Sequence, residues 1–446
     1  MALAPALARI IPRHPLAKRM HRVAVPPDLD GVTQIDRSAE CDPHDAGIDP
    51  RAAQAVWDAV CALYRTGYYP AIMFSLRCGG RTLFSRAIGH ASGNAPHAEE
   101  GAPKRFATAR TPSCIFSASK ALTATLIHRM EERDEIDLQH PIAHYLPEFA
   151  RKGKDRITIH HLLAHRAGIP GIAGVEDPRM ILDHERCLQL LCDAQPQDPN
   201  GRRPAYHAVT SGVLLEEIVR RVTGMDMRKA WRAWFKEPMG LGVLDYGASA
   251  AVRSRITEQS LTGIQGLRLV DDFARRLIGA RFEDVIDLVD DPAFYRAVIP
   301  SANMVATAEE MTAFYQMLLD EGRWNGRQIL RPDTVARATT PAGPTARDAT
   351  IGLPMRYSPG FMLGGAPFGL FGANSSLSFG HIGLSNNLTW ADPERQLSVA
   401  LLVNGIPVVA NNMGALLRLL LRITAAFPRI PKREKSGRGA ARRGRS

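Results

Sequence analysis

The stretch PAIMFSLRCGGRTLFSRAIG, residues 70–89, constrains the fold more than any other part of the chain. Ile72, Phe74 and Leu76 alternate with Met73, Ser75 and Arg77, and that period of two belongs to a strand. Gly79-Gly80 then turns the chain back, which reads as a β-hairpin. The other end of the chain repeats the pattern. LSFGHIGLSNNLTWADPERQLSVALLVNG, residues 377–405, reads as three short strands with DPER (392–395) as a turn. Each strand group has a flanking helix. In GIDPRAAQAVWDAVCALYRTG (47–67), Asp49 caps a helix, Pro50 sits in its first turn, Val56, Val60 and Leu63 share a face, and Gly67 stops it. At about 409–425 a second helix carries Leu416, Leu417, Leu420 and Ile423 on its apolar side. The middle, about 118–325, reads as mainly helical. The expected architecture is α/β in the α+β sense: one antiparallel sheet built from both chain ends, flanked by helices, with an inserted helical region.

The expected boundaries follow. Residues 1–46 are Pro-rich and without clear period, and read as a basic arm. Residues 47–428 form one domain, with a sheet region at about 47–117 and 326–428 and a helical region at about 118–325. Residues 429–446 read as a basic disordered tail. The formal charge of +11 suggests an acidic partner until it is located. Residues 1–22 hold Arg9, Arg13, Lys18, Arg19 and Arg22 with no acid, and 431–446 hold seven basic residues and Glu434. Those ends account for the whole net charge, so 23–430 is formally neutral. Specific nucleic-acid binding is not expected. Weak peripheral contact of the tails with anionic surfaces is. The six cysteines form no C-x-x-C pair and read as free thiols in a reducing compartment. No secretory signal and no apolar run of about 18 residues is seen, so a cytoplasmic protein is expected.

Chemistry enters at IFSASKALTATLIHRM, residues 115–130. Ala118, Leu122, Leu126, Ile127 and Met130 have helical spacing, which puts Ser117 and Lys120 one turn apart on the same side. A serine hydroxyl needs a base to become a nucleophile, and a lysine serves only where desolvation or a nearby cation lowers its pKa. By itself the spacing is weak, since about one such S-x-x-K arises by chance in a chain this long. A second piece is PAYHAVTSGVLLEEIVRRVTG (204–224), where Tyr206 precedes a helix ending at Gly224. Tyr206 fits a core or lid aromatic; as a phenolate, or a phenol hydrogen-bonded to a lysine, it could instead relay a proton. A third is FGHIG (379–383), entering a strand, where a glycine marks close backbone approach and the strand can offer an oxyanion-hole N–H.

In this order the three pieces resemble the serine β-lactamase and penicillin-binding-protein superfamily, and most closely its branch of class C β-lactamases, serine esterases and D-amino-acid peptidases. The connecting phrases LQHPIAHYLPEFA (138–150), ITIHHLLAHRAGIPG (157–171) and PSANMVATAEEMTAFYQMLLDEGRWNGRQIL (300–330) resemble it too, so the likeness spans about 47–425. The resemblance implies a β-lactamase/transpeptidase-like fold. It implies Ser117 as acylated nucleophile, Lys120 as base or proton relay, and Tyr206 as its assistant. It implies His381 and Gly383 on the far wall, and the backbone N–H groups of Ser117 and Leu384 as oxyanion hole. The reaction it implies is acylation of Ser117 followed by attack of water.

Two departures bear on substrate. The family's Y-x-N is YHA here, so Ala208 replaces an amide, and the K-T-G of true β-lactamases is HIG, so His381 stands where a lysine attracts the β-lactam carboxylate. Both favour esters of less anionic acids, and the esterase branch resembles the chain better. The expected function is a carboxylesterase on small or medium acyl esters. The alternatives are a D-amino-acid peptidase, a weak β-lactamase or an acyltransferase with the same mechanism, or a catalytically silent binding protein on the same fold. The expected partner is a small-molecule ester or amide; oligomeric state stays open. No cofactor and no metal is expected: His161 and His165 stand four apart, but no glutamate accompanies them as a zinc protease requires. Residues 251–298 read as helical and as either a lid over an acyl pocket or a plain surface pair.

Overall fold

The computed structural model describes residues 20–172, 177–198 and 200–430. Its principal elements run β1 (Met20–His21), β2 (Thr33–Ile35), α1 (Pro50–Tyr64), β3 (Ala71–Cys78), β4 (Arg81–Ser92) and β5 (Ser113–Cys114). A 3₁₀ turn, Phe116–Ala118, leads into α2 (Ser119–Glu132). The middle then supplies α3 (Thr210–Thr223), β6 (Asp245–Tyr246), β7 (Ser260–Ile264), α4 (Arg268–Ile278), α5 (Phe282–Asp290), β8 (Met304–Ala306) and α6 (Ala308–Leu319). The far end gives β9 (Met362–Leu363), β10 (Phe379–Ile382), β11 (Leu388–Asp392), β12 (Leu397–Val403), β13 (Gly405–Pro407) and α7 (Met413–Ala426).

The main sheet is antiparallel, in the order β9-β10-β11-β12-β3-β4-β2. The two chain ends meet where β12 pairs with β3, Leu401 opposite Phe74 and Val399 opposite Leu76. β3 is buried on both faces, which explains the apolar residues at both phases of its alternation. Ile72, Phe74 and Leu76 join a cluster with Val56, Val60 and Leu63 of α1 and Leu419, Leu420 and Ile423 of α7. Ala71 and Met73 face the other way, into the cluster holding Leu122 and Leu126 of α2 and Phe314 of α6. Each such side chain contributes about 1.5–3 kcal/mol on burial. The ends of α1 form as its sequence dictates: the Asp49 carboxylate accepts from the Arg51 N–H at 2.9 Å, and Gly67 follows with φ 73°.

Two expectations are corrected. The arm does not extend to residue 46. Thr33–Ile35 add an edge strand beside β4, with Gln34 opposite Ala87, and Leu29, Val32 and Ile48 are buried in the same cluster as α1. Glu40 takes two N–H bonds from Arg86, both at 2.7 Å. A three-residue strand is too short to show a period, and the prolines around it mask it. Residues 1–19 and 431–446, which carry nearly all of the net positive charge, lie outside the described residues. The middle region also contains strands. β5, β8 and β6 form a small antiparallel sheet, and β7 is sandwiched between β1 and β13. Residues 251–298 therefore hold a buried strand, Ser260–Ile264, between a short helical turn ending at Arg253 and their longer helices.

Candidate active site

Ser117 sits in the 3₁₀ turn that starts α2, a half-buried residue following Phe116, whose φ is 47°. A bulky residue adopts that left-handed conformation at a cost of about 1–3 kcal/mol, held by the surrounding packing. One turn on, the Lys120 amine lies 3.1 Å from Ser117 Oγ, 2.7 Å from the Ala208 carbonyl and 2.9 Å from the Ser301 carbonyl. Burial pushes the Lys120 pKa down from its ordinary 10.5 to about 7. A neutral amine has two N–H donors and one lone pair. With the two carbonyls taking the donors, the lone pair falls toward the serine hydroxyl. The arrangement can therefore accept the serine proton without first releasing one of its own.

Tyr206 completes the cluster. Burial raises the pKa of its phenol well above the usual tyrosine range, against a smaller lowering from neighbouring Ser117, so it stays protonated. The phenolate reading is thereby corrected: the Tyr206 hydroxyl stays neutral. Its ring centroid lies 5.1 Å from Lys120 Nζ and 4.7 Å from the ring of His165. Fully buried Asp348 fixes its backbone, accepting from the Tyr206 N–H at 3.2 Å and the Tyr357 hydroxyl at 2.9 Å.

β10 runs behind the nucleophile. A Cβ on Gly383 would stand 2.4 Å from the Ile115 carbonyl oxygen, so only glycine lets this chain approach the Ser117 turn. Leu384 follows, and among the described residues its N–H meets no acceptor. Ser117 and Leu384 line one cavity of about 200 Å³. His381 and Gly383 do not line it: buried His381 stands behind the wall, correcting the expectation that both face the substrate. His381 Nδ1 donates to the Ile382 carbonyl at 2.9 Å, and burial, with the Lys120 charge, holds its pKa down at about 3. It is therefore neutral at every working pH and offers no cation to a carboxylate.

The cavity wall is apolar. Phe116, Ile172, Met180, Leu288, Val289 and Phe294 line it, and the C-terminal end of α4 adds Leu277 and Ile278 together with Arg275 and Arg276. So α4 and α5 wall this cavity, whatever motion they undergo. Sequence reading missed Ser301 and Asp348. Ser301 serves Lys120 through its carbonyl, which any residue carries. Ala208 likewise holds the lysine by its main chain, in place of the amide it lacks. The signal that could have been read is Gly212, whose added Cβ would come 2.2 Å from Ser301 Oγ.

His161 and His165 have structural tasks. His161 closes a capping box with Thr158, and His165 Nδ1 accepts from the His207 N–H at 3.2 Å. Among the described residues, His184, Glu185 and Glu217 bring ligand atoms within 4.8 Å of one another, but Arg220 pairs with both carboxylates there.

Known proteins share this frame. The Beta-lactamase family model matches residues 62–421. The esterase/beta-lactamase LipL of Mycobacterium tuberculosis is 31% identical over 332 residues, which cover 72% of this chain and 76% of LipL. A penicillin-binding protein homologue from Caulobacter crescentus superposes with a TM-score of 0.72 at 25% identity, covering 85% of this chain and 99% of its own. A family VIII carboxylesterase superposes at 0.71 with 24% identity, covering 87% of this chain and 98% of its own, a likeness of fold. The chain belongs to the beta-lactamase family, serine hydrolases among which esterases and peptidases share one fold.

Proposed function

We propose that this chain is a carboxylesterase that cleaves esters of small or medium acyl chains through an acyl-enzyme on Ser117. The observation that carries the reading is the Lys120 amine, buried, lowered to a pKa of about 7 and 3.1 Å from Ser117 Oγ, at the edge of an apolar cavity. Lys120 takes the serine proton as Oγ attacks the ester carbonyl. The N–H groups of Ser117 and Leu384 receive the oxyanion. Tyr206 passes the proton to the departing alcohol, and water repeats the sequence to release the acid. The cavity favours an apolar acyl group, and neutral His381 disfavours a substrate that presents a carboxylate, as a β-lactam or a peptide terminus does.

Reaction with a fluorophosphonate, followed by mass mapping, is expected to place a single label on Ser117. Turnover of p-nitrophenyl esters is expected to rise from acetate to butyrate as the acyl chain fills the cavity. A label elsewhere, or no ester turnover at all, overturns the assignment.

Gly383→Ala tests the oxyanion wall. The new Cβ meets backbone, at 2.4 Å, and not a flexible side chain. Either the Ile115 turn or the Leu384 amide must move. A drop in kcat of about 100-fold is expected, the scale of one lost oxyanion donor. KM should change much less, and a kcat within twofold of wild type would mean that Leu384 plays no such part.

A further inference from the structure

Tyr206 stands on a segment whose main chain is held from two sides. On one side the Ala205 N–H donates to the His165 carbonyl at 2.8 Å, and the His207 N–H donates to His165 Nδ1. On the other, the Pro204 carbonyl accepts from the Ala349 N–H at 2.9 Å, and the Tyr206 N–H donates to Asp348. Asp348 opens the loop of a short hairpin in which Ala346 and Arg347 pair with Met355 and Pro354.

Both carboxylate oxygens of Asp348 serve Tyr206. Oδ1 accepts the Tyr206 N–H together with the N–H groups of Thr350, at 2.9 Å, and Ile351, at 2.8 Å. Oδ2 accepts the Tyr357 hydroxyl. The Tyr357 ring then stands edge-on to His165, with centroids 4.9 Å apart, and His165 in turn packs against the Tyr206 ring. One oxygen thus fixes the Tyr206 main chain, and the other fixes its ring through two aromatic neighbours. A carboxylate with no exposure is costly unless hydrogen-bonded, and four bonds offset that cost here. An apolar side chain fills such a site without the cost. What it does not do is hold Tyr206.

We propose that Asp348 is a positioning residue for the leaving-group proton, and that the site it builds suits esters of ordinary aliphatic alcohols. This rests on the esterase reading. When the C–O bond of the tetrahedral intermediate breaks, an alkoxide is too basic to depart alone. Tyr206 gives its proton to that oxygen, and the Lys120 ammonium, which holds the serine proton, restores the phenol. A phenol displaced from the departing oxygen fails in this. p-Nitrophenolate departs as a stable anion and needs no such proton.

The ratio of kcat/KM for ethyl butyrate to that for p-nitrophenyl butyrate tests the role, because both esters deliver the same acyl group to Ser117. Tyr206→Phe sets the pattern of a lost donor, with the ratio expected to fall about 100-fold. Asp348→Ala, which releases all four partners, is expected to follow it, while p-nitrophenyl turnover falls less than about fivefold. Asp348→Asn keeps an oxygen for the three N–H groups and offers Tyr357 a donor in place of an acceptor, so its ratio should fall only about tenfold. Tyr357→Phe breaks the same bond from the other side and should match it. If Asp348→Ala does not fold, these two variants decide. Equal losses on both esters would mean that Asp348 only supports the fold, and an unmoved ratio in Asp348→Asn and Tyr357→Phe overturns the role outright. So does a wild type that cleaves only the p-nitrophenyl ester. A wild type that cleaves neither ester refutes the esterase reading, and this role falls with it.

Discussion

Ser117→Ala is expected to lower turnover of p-nitrophenyl butyrate by about 10⁴-fold or more, with no change in fold. The size follows from what the hydroxyl does. Without Oγ no acyl-enzyme forms, and water must attack an ester held only by the cavity and the oxyanion N–H groups. The fold should not notice. Ser117 is half-exposed, alanine suits a 3₁₀ turn, and Lys120 keeps two of its three contacts, at the Ala208 and Ser301 carbonyls. Stopped-flow assays of wild type should show a burst of p-nitrophenol, and the variant should show none. A variant retaining a tenth of the activity would mean that the nucleophile lies elsewhere, and the thermal melt would show whether any loss reflects unfolding.

The parts of this design legible in the sequence are those written in side chains at fixed spacing. The run from Ile72 to Leu76 up to Gly79-Gly80 marks β3 and its turn because one face of the strand, Ile72, Phe74 and Leu76, is made wholly of large apolar side chains and a glycine pair follows. Ser117 and Lys120 stand out because one helical turn sets their separation. Thr33–Ile35 left no trace, since three residues hold no period and only the partner strand stabilises them. The site was readable as residue types and opaque as environment. That Lys120 is desolvated depends on Ser301, 181 positions away, and that Tyr206 is held by Asp348 depends on a loop 142 positions away. Main-chain carbonyls do the holding at Lys120, and they carry no side-chain signature. The cavity beside Ser117 was hidden for a related reason. Its lining comes from segments near 172, 180 and 275–294, each contributing a few apolar residues that look like ordinary core.

Lys120→Met removes the amine and keeps nearly the same length, and it separates catalysis from stability. Turnover is expected to fall by about 10³-fold, within the range for loss of a general base. In wild type, kcat/KM should rise with pH and reach half its plateau near pH 7, where Lys120 loses its proton. The direction is fixed by the contacts. Below that pH the ammonium points three N–H donors at Ser117 Oγ and two carbonyls and has no lone pair for the serine proton; above it, the lone pair is free. The variant should lose this step in its pH profile along with its rate. Stability should respond the other way. Moving the lysine pKa from 10.5 to about 7 means that the native fold carries about 5 kcal/mol of penalty once both folded and unfolded chains are protonated, below pH 7. That penalty shrinks as pH rises from 7 toward 10.5. Methionine removes it and leaves the Ala208 and Ser301 carbonyls unpaired, at about 1–3 kcal/mol each. The terms nearly offset, so at pH 6 the variant should melt within a few degrees of wild type or above it. A melt lowered by 15 °C or more, or a wild-type profile flat from pH 5 to 9, would show that Lys120 holds the fold together and is not the base.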